Sequence, residues 1–196
     1  MKKLFLTTII VVVAMTSVVA QNFGVKAGLN LANVRGDAKN VSMLTSFHVG
    51  AFAEFKISDT FSFQPELVYS VQGAHMYYLG ITIGFQPIDA TYNFNYINLP
   101  LMAKYKVSDN FSVLAGPQIG FLTSAKVKIG SGNFSDAEYH SYKSTDFGLN
   151  LGIIYELRNG LFFDLRYDIG FSNIIEESSF DLKNSVISFS LGYKIK

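Results

Sequence analysis

Between Thr145 and Ser172 the chain alternates apolar and polar residues along two runs separated by a tight turn. In the first run Phe147, Leu149, Leu151, Ile153, Tyr155 and Leu157 fall on every second position, with Gly148, Asn150, Gly152 and Glu156 among the residues between them. In the second, Leu161, Phe163, Leu165, Tyr167, Ile169 and Phe171 alternate with Asp164, Arg166, Asp168, Gly170 and Ser172. A period of two places one set of side chains on one face of a β-strand. Arg158-Asn159-Gly160 supplies the turn, since Asn and Gly tolerate the positive φ that hairpin turns require. A long hairpin with one wholly apolar face results, and the rest of the chain must accommodate it.

The same alternation predicts six further strands. Their apolar residues run Phe23 to Leu31, Phe47 to Ile57, Phe61 to Val71, Ile97 to Val107, Phe111 to Phe121 and Ile187 to Ile195. With the hairpin this makes an all-β chain of eight antiparallel strands. Lys56-Ile-Ser-Asp-Thr-Phe61 reappears fifty residues later as Lys106-Val-Ser-Asp-Asn-Phe111, and Glu156-Leu-Arg-Asn-Gly-Leu161 lies a further fifty along. Three short turns therefore alternate with longer loops at 32–45, 72–95, 125–144 and 173–184. The repeat is one of connections, coincident with the strand pattern.

The apolar face carries no charged residue in any of the eight strands, and its only polar atoms are tyrosine hydroxyls. Phe55, Phe61, Tyr105, Phe111, Tyr155 and Tyr193 lie near the turns, where a membrane-interface girdle belongs. A soluble barrel with an apolar cavity would also alternate, but its outer face should then be rich in charge. The polar face here is rich in Gly, Ser, Asn and Gln. Charged residues are 16% of the chain, and the longest uncharged run, 67–88, is broken by Gly and Pro and is no membrane helix. Only helices and closed barrels satisfy their backbone hydrogen bonds in lipid. The reading is an eight-stranded up-and-down transmembrane β-barrel, with its short turns towards the periplasm.

Residues 1–20 read as a cleaved signal peptide: Lys2 and Lys3, an apolar stretch from Leu4 to Val13, then small residues ending at Ala20. The barrel domain is then 21–196. Losing the two lysines brings 16 basic residues to 14 against 15 acidic ones, and no basic patch points to nucleic acid. The absence of cysteine excludes a lipid-attachment site, a disulfide framework and cysteine-ligated metal.

Several segments resemble the small outer-membrane β-barrels labelled porin-family or outer-membrane-protein β-barrel domain, similar in architecture to OmpA and OmpX. They are Tyr96-Ile-Asn-Leu-Pro-Leu-Met-Ala-Lys-Tyr105, Ala115-Gly-Pro-Gln-Ile-Gly120, Asp146-Phe-Gly-Leu-Asn-Leu-Gly152, Leu161-Phe-Phe-Asp-Leu-Arg-Tyr-Asp-Ile-Gly170 and Leu191-Gly-Tyr193. The resemblance covers the mature chain and is silent on activity; the porin label does not establish a pore. It implies a monomer in the outer membrane of a Gram-negative envelope, in contact with outer-membrane lipids and lipopolysaccharide, delivered by the barrel-assembly machinery. The closing Tyr193-Lys-Ile-Lys196 departs from the terminal aromatic common in such barrels.

Alternation places Lys26, Glu54, Glu66, Lys104, Asp146, Glu156, Asp164, Arg166 and Asp168 inward, as a candidate lumen charge network. Lys56, Lys106, Lys194 and Lys196 share that face. Eight strands enclose only enough room for side chains, so a salt-bridged filling is expected, with a narrow ion or solute pore as the alternative. Arg166, between Asp164 and Asp168, is the expected centre, because its rigid fork suits enclosed carboxylates. Pro65, Pro100 and Pro117 are expected to mark bulges, which would invert the inward assignment beyond them.

No enzyme constellation stands out. His75, His140, Ser141 and Ser144 lie in predicted loops without catalytic spacing, and no cofactor motif is present. Asp136, Glu138 and His140 alternate but do not complete a metal-ligand set, so no metal is assigned. Asn40, Asn110 and Asn133 match glycosylation acceptors by chance. The functional expectation is a non-enzymatic structural or surface-interaction role carried by the long loops.

Overall fold

The computed structural model describes residues 22–38, 40–83, 86–130, 132–136, 142–176 and 180–195. The predicted signal peptide, Glu138, His140, Ser141 and Lys196 lie outside the described residues. The strands are β1 (Asn22–Gly36), β2 (Val41–Lys56), β3 (Phe61–Ile83), β4 (Gln86–Lys106), β5 (Phe111–Ile129), β6 (Ser135–Asp136), β7 (Thr145–Glu156), β8 (Leu161–Gly170) and β9 (Leu182–Ile195). Each long strand pairs antiparallel with the next, and β1 pairs with β9 to close a ring of eight. The two-residue β6 only adds to β5, at Lys126 and Val127.

The fifty-residue repeat closes each of the three short turns with the same hydrogen bond. Ile57 N–H donates to the Phe61 carbonyl at 2.9 Å, Val107 to Phe111 at 2.9 Å, and Leu157 to Leu161 at 2.7 Å. Adjacent turns are joined in the same way: Lys106 N–H donates to Thr60 O, Glu156 to Asn110 O and Lys194 to Gly160 O, each at 2.8 Å. Gly160 has φ +90°, a backbone state that side-chain-bearing residues rarely adopt.

At the opposite end the strands run further than alternation alone suggests. The predicted loop 32–45 narrows to 37–40, because β1 and β2 continue to Gly36 and from Val41. The predicted loop 72–95 is mostly β-ribbon: Tyr77 pairs with Asp89 and Ile83 with Gln86. Alternation reports where one face meets lipid, whereas backbone pairing continues into water and needs no such pattern.

The prolines do not make bulges. Beside Pro65 the β2–β3 ladder lapses between Phe52↔Glu66 and Phe55↔Phe63, then resumes in the same register. Similar lapses flank Pro100 and Pro117. A missing N–H removes a hydrogen bond without adding a residue, so the inward assignment survives. Register shifts occur instead between Met43 and His48, Tyr78 and Ile83, and Asn95 and Tyr96. At the last, Thr123 is the extra residue, and its hydroxyl donates to Asn95 O at 2.9 Å.

Below these shifts, even-numbered residues face the interior in all eight strands. The odd-numbered set is outside: Leu29, Phe47, Leu101, Leu151, Phe163, Phe189 and Leu191 are each at least 41% exposed, as lipid-facing residues should be. Tyr105, Tyr155 and Tyr193 are exposed near the turns.

Candidate functional site in the barrel interior

The interior is stratified, and the order of inward residues on each strand shows how. Leaving the turn end, β2 presents Glu54, Phe52, Gly50 and His48; β4 presents Lys104, Met102, Pro100 and Asn98; β7 presents Glu156, Ile154, Gly152 and Asn150. Charge comes first, an apolar residue second, glycine or proline third and a polar side chain fourth.

The layer nearest the turns is a ring of alternating charge. Lys104 Nζ donates to Glu54 at 3.3 Å and to Glu156 at 3.2 Å, while Lys194 Nζ lies 2.8 Å from Glu54 and 2.5 Å from Glu156. Each carboxylate therefore meets two ammonium groups. A polar cavity of about 180 Å³ opens beside this ring, lined also by Ser62 and Ser112. Lys56 and Lys106 stand at its rim, paired with turn residues Asp59 (3.4 Å) and Asp109 (2.9 Å) rather than with the interior.

Above the ring, Phe52, Met102, Leu114, Ile154 and Phe162 form a buried apolar layer. Phe52 and Phe162 meet edge-to-face, centroids 5.5 Å apart at 75°. Two glycines make the room. A Cβ on Gly24 would overlap the Phe52 ring, and one on Gly192 the Phe162 ring.

A second charged layer follows. Arg166 Nη1 and Nη2 donate to the two Glu66 oxygens at 3.0 and 2.7 Å, and Nε donates to Asp164 Oδ2 at 2.8 Å. Lys26 Nζ lies 2.8 Å from Glu66 and 3.3 Å from Asp164. Gln64 adds a donor to Glu66 at 2.8 Å. Buried charges of this kind persist only when paired and hydrogen-bonded on all sides.

Beyond lies a polar layer of amides and hydroxyls around His48, in which Asn150 donates to Gln118 at 3.1 Å. Asp146 accepts from Asn184 at 2.8 Å. The loop end is stoppered by a second apolar cluster, with Val34, Ala74, Phe94, Leu122, Ile174 and Leu182 at its centre.

The candidate network is thus two separate groups. Glu54, Lys104 and Glu156 join Lys194 in one; Lys26, Glu66, Asp164 and Arg166 form the other; Asp146 and Asp168 belong to neither. Arg166 sits between Glu66 and Asp164 and makes no ion pair with Asp168, its neighbour two residues on. The apolar layer and His48 were not singled out by sequence reasoning. A signal was there: Phe52, Met102 and Ile154 each stand two residues before Glu54, Lys104 and Glu156, a repeated apolar exception on the polar face.

Among the loop candidates, His75 Nδ1 is 2.8 Å from Thr91 Oγ1, Ser144 is exposed, and Asp136 is exposed in β6. Among the described residues no group of three His, Cys, Asp or Glu is placed to hold a metal.

A family model described as outer membrane protein beta-barrel domain matches residues 19–176. Among solved structures, Neisserial surface protein A aligns with TM-score 0.57 at 14% identity, covering 88% of this chain and 97% of that one. The attachment invasion locus protein Ail of Yersinia pestis aligns with TM-score 0.53 at 12% identity, covering 89% and 98%. Such identities speak for the fold alone. No curated protein matches the sequence.

Proposed function

The chain belongs to the outer-membrane β-barrel domain family and is a protein of the outer membrane, and from that premise we propose that it is a non-conducting, non-enzymatic barrel that acts structurally and through its outer ribbons. One observation carries the reading: the layer of Phe52, Met102, Leu114, Ile154 and Phe162 lies between the two charged groups. An ion passing along the axis would have to leave the charged ring and cross an apolar, close-packed barrier, at a desolvation cost that no neighbouring group offsets. The second stopper, at the loop end, imposes the same cost again.

The outer ribbons favour a surface role. A transmembrane strand needs about 9–11 residues, and β3 and β4 have 23 and 21. Roughly half of each therefore stands outside the lipid. From Tyr77 to Ile88 this ribbon carries no charged residue, a composition suited to contact with another surface rather than to open water. Lipopolysaccharide and outer-leaflet lipids surround its base, and the barrel works as a monomer.

Planar-bilayer recording of the refolded protein tests the reading. The expected result is a silent membrane. Stable, water-filled conductance would replace this reading with that of a narrow pore.

A further inference from the structure

One wall of the barrel is hollowed on its lipid side. A groove of about 640 Å³ crosses the outer faces of β7, β8, β9 and β1, lined by Ile153, Leu165, Tyr167, Ile187 and Leu31. Met43 and Ser185 line its end nearer the loops. Leu114 and Arg166 also border it, but both are buried with their side chains turned inward, so they bring no charge to the outer surface. A second groove of about 400 Å³ continues it towards the turns, sharing Ile153 and Leu165, and the buried Asp164 and Ser190 border that one from within.

The upper groove has a polar lip. Tyr167 Oη and Ser185 Oγ lie 3.0 Å apart on its outer face. The next outward residue on β9 is Lys183, and Arg35 on β1 stands opposite it in the ladder. Their neighbours Val34, Leu182 and Asn184 are buried in the interior, so both cationic side chains point out. Like charges placed directly across a ladder repel, and an anion between them would remove that cost. Arg35 Nη2 reaches past β9 to donate to Gly170 O on β8 at 3.1 Å. That carbonyl stands one residue beyond the Ile169–Ser185 pair, so the guanidinium lies just above the groove. Asp181 holds Lys183 at 2.6 Å, and Asp37 accepts from the Asp181 amide at 2.8 Å. Among the described residues Arg35 makes no ion pair.

An occupant of this wall needs an extended apolar stretch, then a group that meets hydroxyls, then one that takes a guanidinium. A phosphate-bearing acyl lipid has those parts in that order: chain, ester, phosphate. Asp37 and Asp181 bring the four charges at the lip to a net of zero, so recognition falls to geometry, and guanidinium holds phosphate through paired hydrogen bonds. With the short turns in the periplasm, the loop half of the wall faces the outer leaflet. We infer that this groove is a specific site for one acyl chain of a phosphate-bearing lipid of the outer leaflet, with the phosphate on Arg35. The site depends on the position of this wall in the membrane and not on a closed lumen.

Native mass spectrometry of the mature protein, refolded in detergent, tests the site. Dioleoylphosphatidic acid is the probe, beside dioleoylglycerol, which lacks only the phosphate. Wild type should retain one phosphatidic acid per barrel, at least about tenfold more tightly than dioleoylglycerol, as loss of charge-assisted hydrogen bonds implies. Arg35→Gln should level the two. Lys128→Gln, on β5 across the ring, should keep the preference. Ser185→Trp, which fills the upper groove, should lose both lipids; Leu101→Trp, on the outer face of β4, should lose neither. If Ser185→Trp does not fold, Ser185→Leu makes the same test. Equal retention of the two lipids by wild type would overturn the inference. So would a preference that survives Arg35→Gln, or binding that is unchanged when the groove is filled. A dimer in place of the lipid adduct would assign the groove to a second copy and overturn it as well.

Discussion

Arg166 on β8 grips Glu66 on β3 through two parallel hydrogen bonds, 3.0 and 2.7 Å long, that bridge strands separated by half the ring. The remaining guanidinium edge holds Asp164. One side chain thereby ties opposite walls of the barrel. Arg166→Met would strand two buried carboxylates with Lys26 as their only remaining cation. Removing one partner of a buried pair typically costs about 3–5 kcal/mol, and a loss of that order in urea unfolding of the bilayer-refolded protein is expected. Arg166→Lys should recover only part of it, since an ammonium cannot form the paired fork.

The outer face makes an independent prediction. Leu151 and Leu165 are about two-fifths exposed on the lipid side, away from either end of their strands. Arginine at either position should cost roughly 2–4 kcal/mol in bilayer stability, with the larger value nearer the midplane. Refolding into vesicles of graded thickness, with stability read by denaturant titration, checks both sign and depth dependence.

Gly192→Ala should be destabilising because of one neighbour. Its new Cβ would enter the volume of the Phe162 ring. Overpacking of a tight core costs about 1–3 kcal/mol. Phe162→Leu in the same chain should relieve most of that penalty, so a double-mutant cycle should show coupling well above the noise of additive sites. Additive losses would mean that the ring moves aside freely.

Thinning the apolar layer should lower one of the two barriers to ion passage. The double variant Phe52→Ala, Phe162→Ala removes both rings from between the charged groups. Each Phe→Ala truncation is expected to cost about 3–5 kcal/mol, so its folding is verified first by heat-dependent gel migration. Any conductance gained should remain small, since the loop-end cluster is intact.

Alternation alone settled the strand count, the lipid-facing set from Val25 to Ile195 and the likeness of the three turns, because each follows from a local rule. A period of two assigns faces without reference to any neighbour, and a turn's hydrogen bond closes within five residues, as Ile57 to Phe61 shows. The inward direction of Lys26, Glu66 and Arg166 followed from the same rule. Their partnership did not. Whether Arg166 meets Asp168, two residues along its own strand, or Glu66, on the far side of the ring, depends on register and strand tilt summed around the closed barrel. No single strand encodes that sum. The same holds for the room that Gly24 and Gly192 give to Phe52 and Phe162: each aromatic and its glycine lie far apart in the chain and meet only when the sheet closes. Local sequence determined which side chains enter the interior. Closure of the sheet decided which of them touch, and so divided the enclosed charges into two groups with an apolar layer between.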